Sequence, residues 1–246
     1  MRIGVIGAGG KMGKMISKQL LDDPEVSGVV CLERENAPEI GKDISGVIGL
    51  SENKGIKVSC DVEEACKTMD CLIDFTLPGP TLDHVDICLD NDVPMVIGTT
   101  GFIPEGEKAI VSAAEIIPIV FSPNMAIGVN VLFKIVSDAA RILSNEFSIK
   151  IDETHHVHKK DSPSGTAKMI AKKIKEASGI DAPIEAFREG EVVGNHGIIF
   201  DGKYENIVIR HDAKSRDVFA LGAIKAAKFV IGKKPGLYSM ADVLGL

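Results

Sequence analysis

The sequence predicts an α/β fold in two parts: a doubly wound parallel sheet, then an α+β portion built on an open mixed sheet. Three observations carry this. The first half alternates short, continuously apolar runs with helical patterns, as strands buried on both faces do when helices separate them. A glycine-rich turn joins the first of these strands to the first helix, which makes the sheet Rossmann-like. After Asn124 the rhythm changes to a long apolar helix and strands carrying polar residues on one face.

Taken in order, residues 3–6 read as a strand and 11–21 as a helix. Strands follow at 28–32, 71–75, 95–97 and 117–121, with helices at 80–89 and 105–114 between them. Further on, 129–143 reads as a helix, 147–151 as a half-exposed strand and 167–177 as a helix with lysines on one side. Residues 198–200 and 207–209 are strands joined through the turn Asp201-Gly202-Lys203-Tyr204. Residues 218–231 form a largely apolar helix whose weak periodicity does not say which part it joins.

Composition narrows the function. A chain of 246 residues holds one large domain or two modest ones, and a 45% hydrophobic content supplies a sizeable core. The net charge of -7 and the absence of tryptophan argue against a nucleic-acid surface. Five cysteines, all in the first ninety residues and without a CxxC pair, read as buried, reduced thiols of a cytosolic protein. No apolar run reaches the roughly 18 residues of a membrane span, and the N-terminus lacks a signal-peptide core. The expected location is the cytoplasm.

The run Gly7-Ala8-Gly9-Gly10-Lys11-Met12-Gly13 has the context of a dinucleotide-binding turn. Its spacing is GxxGxxG, and free amides at the helix start would face phosphates. Glu33 stands twenty residues beyond Gly13, where an acid accepts hydrogen bonds from adenine-ribose hydroxyls. Arg34 follows and suits a 2′-phosphate, so the pair suggests both NADH and NADPH. Gly98-Thr99-Thr100 and Ser122-Pro123-Asn124-Met125 lie at the carboxyl ends of strands, where this architecture binds ligands. A ligand-free strand–helix turn and a solvated charge pair are the competing readings.

The densest chemistry lies at 153–167, where His155, His156 and His158 precede Lys159, Lys160 and a Pro-Ser-Gly-Thr helix start. Histidine titrates nearest neutrality and is the natural proton donor, while lysine supplies positive charge for a carboxylate. On an extended strand His155 and Lys159 would stand about 13 Å apart, too far to act on one small molecule. A bend after His156 is therefore expected, bringing Lys159 back toward His155. Ser164, Gly165 and Thr166 can present amides to an anion. A metal arm at His156 and His158, a solvated lysine face and a plain helix cap compete with this reading. Two lysines beside the histidines would repel a cation, so no metal is expected.

These residues resemble the 4-hydroxy-tetrahydrodipicolinate reductase family, historically the dihydrodipicolinate reductases. The likeness runs nearly end to end. It includes the glycine turn, Glu33-Arg34, Asp74-Phe75-Thr76, the Gly98-Thr99-Thr100 loop, Asn124, the 153–167 run, Arg188, His196 and the last eleven residues. The resemblance implies NADH- or NADPH-dependent reduction of a cyclic dicarboxylate in the diaminopimelate route to lysine. It implies His155 as proton donor, Lys159 as its partner on the substrate, and His156, Gly165 and Thr166 as carboxylate ligands. It places the nucleotide on 7–12, 33–34, 98–100 and 122–125. It further implies a dinucleotide domain at 1–126 with 217–246, a substrate and tetramerisation domain at 127–216, and a homotetramer. Val157, Ser162 and Met125 depart from the family's usual arginine, alanine and phenylalanine.

Overall fold

The computed structural model describes residues 1–246, which divide into two units, Met1–Met125 with Phe219–Gly245 and Ala126–Val218. In the first, β1 (Arg2–Ile6) leads through the glycine turn into α1 (Lys11–Leu21) and then β2 (Gly28–Leu32). Two short helices, α2 (Ile44–Ile48) and α3 (Val62–Cys66), precede β3 (Cys71–Asp74). Then come α4 (Pro78–Asp90), β4 (Met95–Ile97), α5 (Pro104–Ala113) and β5 (Pro118–Phe121). Sequence periodicity did not foresee α2 and α3, because five residues are too few to display a helical repeat. Their signals are local instead: Asp43 and Asp61 cap them through side-chain carboxylates. Helix α4 begins two residues earlier than the pattern predicted, because Pro78 is tolerated in a first turn.

The second unit runs α6 (Ile127–Leu143), β6 (Ser148–His155), α7 (Gly165–Ser178), β7 (Ile184–Arg188), β8 (Gly194–Asp201) and β9 (Asn206–Ala213). The chain ends with α8 (Asp217–Val230), β10 (Gly236–Tyr238) and α9 (Met240–Leu244). Ala223, Ala227 and Val230 of α8 pack with Ile16 and Leu20 of α1, so this helix belongs to the first core.

Six parallel strands make the first sheet, in the order β10-β5-β4-β3-β1-β2. The order reverses at β1, which is the switch point where ligands bind such sheets. Register sharpens this. Leu32, Ile6, Asp74, Ile97 and Phe121 are successive partners across the sheet. The loops that follow them therefore open at one level: Glu33-Arg34, the glycine turn, Phe75-Thr76, Gly98-Thr100 and Ser122. The opposite sheet face is covered by α3, α4 and α5 through Cys66, Val85, Cys88, Ile110 and Ala113. All five cysteines are free, but Cys60 is exposed, contrary to the expectation that every thiol is buried.

The second sheet has four strands in the order β7-β6-β8-β9, with β6 and β7 parallel and the other pairs antiparallel. Helices α6 and α7 cover one face with Leu132, Val136, Ile170 and Ile174 against Ile149, Ile151, Ile198 and Phe200. Phe187 and Val208 remain at least half exposed. The apolar runs at 147–151, 198–200 and 207–209 proved to be only parts of longer strands. The polar ends of β6 and β8, including His155 and His196, are held in the ladder by their neighbours.

Candidate active site

At the head of α1, Gly7 adopts a left-handed φ of 76°, which favours glycine. A Cβ on Gly10 would stand 3.1 Å from the Gly7 carbonyl oxygen, and one on Gly13 would collide with that oxygen and with Ala8 Cα. The three glycines thus let the helix close over the turn. No side chain caps α1 at Gly10, so the amides of its first turn, at Lys11, Met12 and Gly13, have no intrahelical acceptor. The amides of Ala8 and Gly10 are spent differently, on Leu32 and Gly7 carbonyls. Ala8 and Gly10 therefore shape the turn, while Lys11 and Met12 offer it to an anion. A pyrophosphate fits this uncapped turn.

The neighbouring loops are held by a buried carboxylate. Asp74 accepts hydrogen bonds from the Thr76 amide and hydroxyl at 2.7 Å each, and its second oxygen lies 2.7 Å from His84 Nδ1. Thr81 donates to Thr99 Oγ1 at 2.9 Å, so the Thr99 side chain faces this network, while Thr100 is exposed. Ser122 donates to the Asn124 carbonyl at 2.9 Å. The Met125 side chain lies in the first core, so the expected nucleotide contact is not available to it as a side chain. Glu33 is half-buried. Burial raises its pKa, Glu39 adds to that, and Arg34 partly offsets both.

In the second unit, His155 ends β6 and Glu153 stands two residues earlier on the same strand face. Their side chains are hydrogen-bonded through His155 Nδ1 and Glu153 Oε2. Glu153 is fully buried and its other oxygen accepts from the Ser164 amide at 3.2 Å and from Arg188 Nη1 at 3.1 Å. Burial alone would raise the Glu153 carboxyl, but the bonds from His155, Arg188 and Ser164 outweigh it and hold the group below the usual range. An ionised carboxylate only accepts, so Nδ1 of His155 carries the proton and Nε2 is left for a ligand. Burial lowers the pKa of His155, and Glu153 works against that. Gly194 makes room beside the ring: a Cβ there would stand 2.9 Å from His155 Nε2.

His196 pairs with Glu153 across β6 and β8, and its ring meets His155 edge-on with centroids 5.2 Å apart. It is 3% exposed, and burial, reinforced by His155 and His211, depresses its pKa to about 4. His196 is therefore neutral at pH 7.

The chain turns after β6 as expected. The His156 amide donates to Val192 at 2.7 Å and the Lys159 amide donates back to His156 at 3.1 Å. Lys159 returns near enough for its charge to depress the His155 pKa. Its ammonium lies 2.9 Å from Asp161 Oδ1 and holds the Asp161 carboxyl below its usual range, with a smaller contribution from the Gly165 amide. Ser164 caps α7 by accepting from the Ala167 amide at 3.1 Å, so the plain-cap reading also holds. His156 Nε2 lies 3.4 Å from Arg216 Nη2.

The structure adds Glu153, Arg188 and His196 as framework residues that sequence reasoning gave no role, and it turns the Ser164 amide, expected to face an anion, toward Glu153. Glu153 was legible, since it shares a strand face with His155. Arg188 was not, because β7 was unrecognised and its register opposite His155 follows only from the fold. His158 is exposed and lies 3.7 Å from Glu191, with its ring centroid 6.2 Å from that of His156. Ligand atoms of Glu153, His155 and His196 do lie within 4.8 Å of one another. Hydrogen bonds from His155, Ser164 and Arg188 already engage the carboxylate, and Lys159 adds positive charge, so this cluster reads as a proton-handling network.

Fold and site together define an oxidoreductase that uses a pyridine nucleotide. Family models described as dihydrodipicolinate reductase, N-terminus and C-terminus, match residues 1–125 and 128–244. The 4-hydroxy-tetrahydrodipicolinate reductase of Dechloromonas aromatica is 42% identical over 265 residues, covering 100% of this chain and 98% of that protein. That of Burkholderia thailandensis is 39% identical over 266 residues, with coverage of 100% and 98%. A dipicolinate-bound dihydrodipicolinate reductase from Paenisporosarcina sp. TG-14 superposes with a TM-score of 0.82 at 26% identity, covering 98% of each chain. The chain belongs to the dihydrodipicolinate reductase family.

Proposed function

We propose that the chain reduces 4-hydroxy-2,3,4,5-tetrahydrodipicolinate to 2,3,4,5-tetrahydrodipicolinate, with loss of water, at the expense of NADH or NADPH. This is a step of the diaminopimelate route to lysine. The observation that carries the reading is the buried Glu153–His155 pair beside Lys159 at the N-terminus of α7. When bound, the reduced nicotinamide supplies hydride to ring carbon 4. Lys11 and Met12 hold the pyrophosphate with their amides, Gly7, Ala8, Gly9 and Gly10 shape its cradle, and Glu33 with Arg34 meets the adenine ribose. Gly98, Thr99, Thr100 and the Ser122-Pro123-Asn124-Met125 segment complete the nucleotide contacts, Met125 through its backbone.

Loss of the hydroxyl leaves an unsaturated ring, and hydride addition places negative charge on its conjugated system. His155, held by Glu153, delivers the proton that neutralises this charge. Lys159 orients and polarises the ring, and His156, Gly165 and Thr166 bind its carboxylates. Fixing two carboxylates supplies the orientation that hydride transfer needs. In this reading 1–126 with 217–246 is the dinucleotide domain and 127–216 serves substrate and tetramerisation. The half-exposed Phe187 and Val208 support a homotetramer built on the open sheet face. No helix is long and apolar enough to cross a membrane, and the proposed location is the cytoplasm.

Steady-state kinetics of His155→Ala and Lys159→Ala test the roles. Each should lower turnover by roughly 10²–10⁴-fold at saturating substrate. Turnover near that of the parent enzyme in either variant would reject the role assigned to that residue.

A further inference from the structure

We propose that Glu39 sets the discrimination against a 2′-phosphorylated dinucleotide. The proposal rests on the dinucleotide reading of the glycine turn and deepens it. After Glu33 the chain folds back on itself: the Ala37 amide donates to Arg34 at 2.9 Å and the Ile40 amide to Ala37 at 3.2 Å. Gly41 then ties the segment to Val58 at 2.9 Å. These turns lay the Glu39 side chain over Gly9, where an added Cβ would stand 2.8 Å from Glu39 Cδ. Glu39 also reaches Glu33 electrostatically and helps raise its pKa.

Gly9 and Glu33 mark the two sides of the place where an adenine ribose lies in this architecture. Glu39 addresses both, so two carboxylates face that ribose. A ribose diol can donate hydrogen bonds to either acid. A 2′-phosphate brings only acceptors and about two negative charges.

The surrounding charges fix what removal of Glu39 would do. Lys14 and Lys42 line the same hollow as Glu39, and Arg34 adjoins Glu33 in the chain. Asp43, also in that hollow, is engaged by the Ser45 amide at 2.9 Å and the Lys54 amide at 3.2 Å. Without Glu39, a phosphate would meet these cations opposed by Glu33 and by Asp43, whose carboxylate is turned to those amides.

The test is Glu39→Gln in the full-length enzyme, with KM measured for NADPH and NADH and dissociation constants followed by nicotinamide fluorescence. The ratio of the NADPH constant to the NADH constant should fall by about 3- to 10-fold, the range a few exposed charge contacts supply. The difference between parent and variant should shrink as salt is added. Glu115→Gln, at an exposed acid beyond α5, should leave the ratio unchanged. An unchanged ratio in Glu39→Gln, or an equal change in both constants, would overturn the proposal while leaving the dinucleotide site intact. Failure of the parent enzyme to bind either dinucleotide would overturn that site and the proposal together.

Discussion

The Nδ1 proton of His155 points into the carboxylate of Glu153, two residues earlier on the same face of β6. This contact fixes both the tautomer and the tilt of the imidazole. It also stabilises the charged ring that a proton donor must present. Glu153 is in turn held by Arg188 from β7 and by the Ser164 amide at the head of α7, so three elements converge on one carboxylate.

Replacing Glu153 by Gln keeps the size of the side chain but removes its charge. We expect kcat to fall by about 10²–10⁴-fold with a smaller change in substrate KM, because the loss falls on a group that acts in the reacting complex. Glu153→Asp should recover part of the activity. Steady-state kinetics across pH would check this. An unaltered pH profile in Glu153→Gln would remove Glu153 from the proton path.

The pH dependence of kcat/KM carries a sign. In its proposed role as donor His155 must be protonated, so the rate should be high below its pKa and fall as pH rises through it. Burial first, and then Lys159 and Arg188, hold that pKa below the ordinary histidine value. Lys159→Met removes one depressing charge, so the descending limb of its residual activity should move to higher pH. A limb that stays in place, or moves to lower pH, would contradict the electrostatic influence of Lys159 on His155.

Asp161 occupies the Lys159 ammonium with a carboxylate of the chain. A substrate carboxylate placed as proposed would compete with it. Asp161→Asn should therefore lower the substrate KM by roughly two- to fivefold, the effect expected of a partly exposed ion pair. Isothermal titration with dipicolinate as the probe should show the same gain in affinity. Weaker binding would mean that Asp161 supports Lys159 rather than competing for it.

His196 links pH to stability. Its pKa is about 4 in the folded chain against an ordinary value of 6.5. Above pH 6.5 both folded and unfolded forms are neutral and the contribution of the buried neutral ring is complete. As pH falls from 6.5 to 4 only the unfolded chain gains the proton, and up to about 3 kcal/mol of stability is lost. Urea unfolding of the parent and of His196→Phe at pH 7, 5 and 4 would check this. The variant should lose less stability over that interval, and an equal loss would assign the acid sensitivity to other groups.

Much of this was legible in the chain. The apolar runs at 28–32 and 95–97 and the helix at 11–21 coincide with β2, β4 and α1, because strands buried on both faces and an amphipathic helix announce themselves. The bend after His156 followed from the length of an extended strand. Helices of five residues, such as α2 and α3, carry no readable period, and β10 lacks the continuous buried apolar run that marks β4. The carboxylate frame around His155 depended on sheet register: Arg188 and His196 come beside Glu153 and His155 only once β7 and β8 flank β6. Periodicity also left the helix at 218–231 unassigned, and packing of Ala223, Ala227 and Val230 in the first core decides it.

The most direct test of the central claim is product analysis. The purified chain is mixed with NADH or NADPH and 4-hydroxy-2,3,4,5-tetrahydrodipicolinate generated in place by its synthase, and nicotinamide absorbance and product mass are followed together. The account predicts one 2,3,4,5-tetrahydrodipicolinate formed per nicotinamide oxidised, with the rate collapsing in His155→Ala. Failure of the parent chain to oxidise either cofactor, while a known reductase does so in the same mixture, would contradict it.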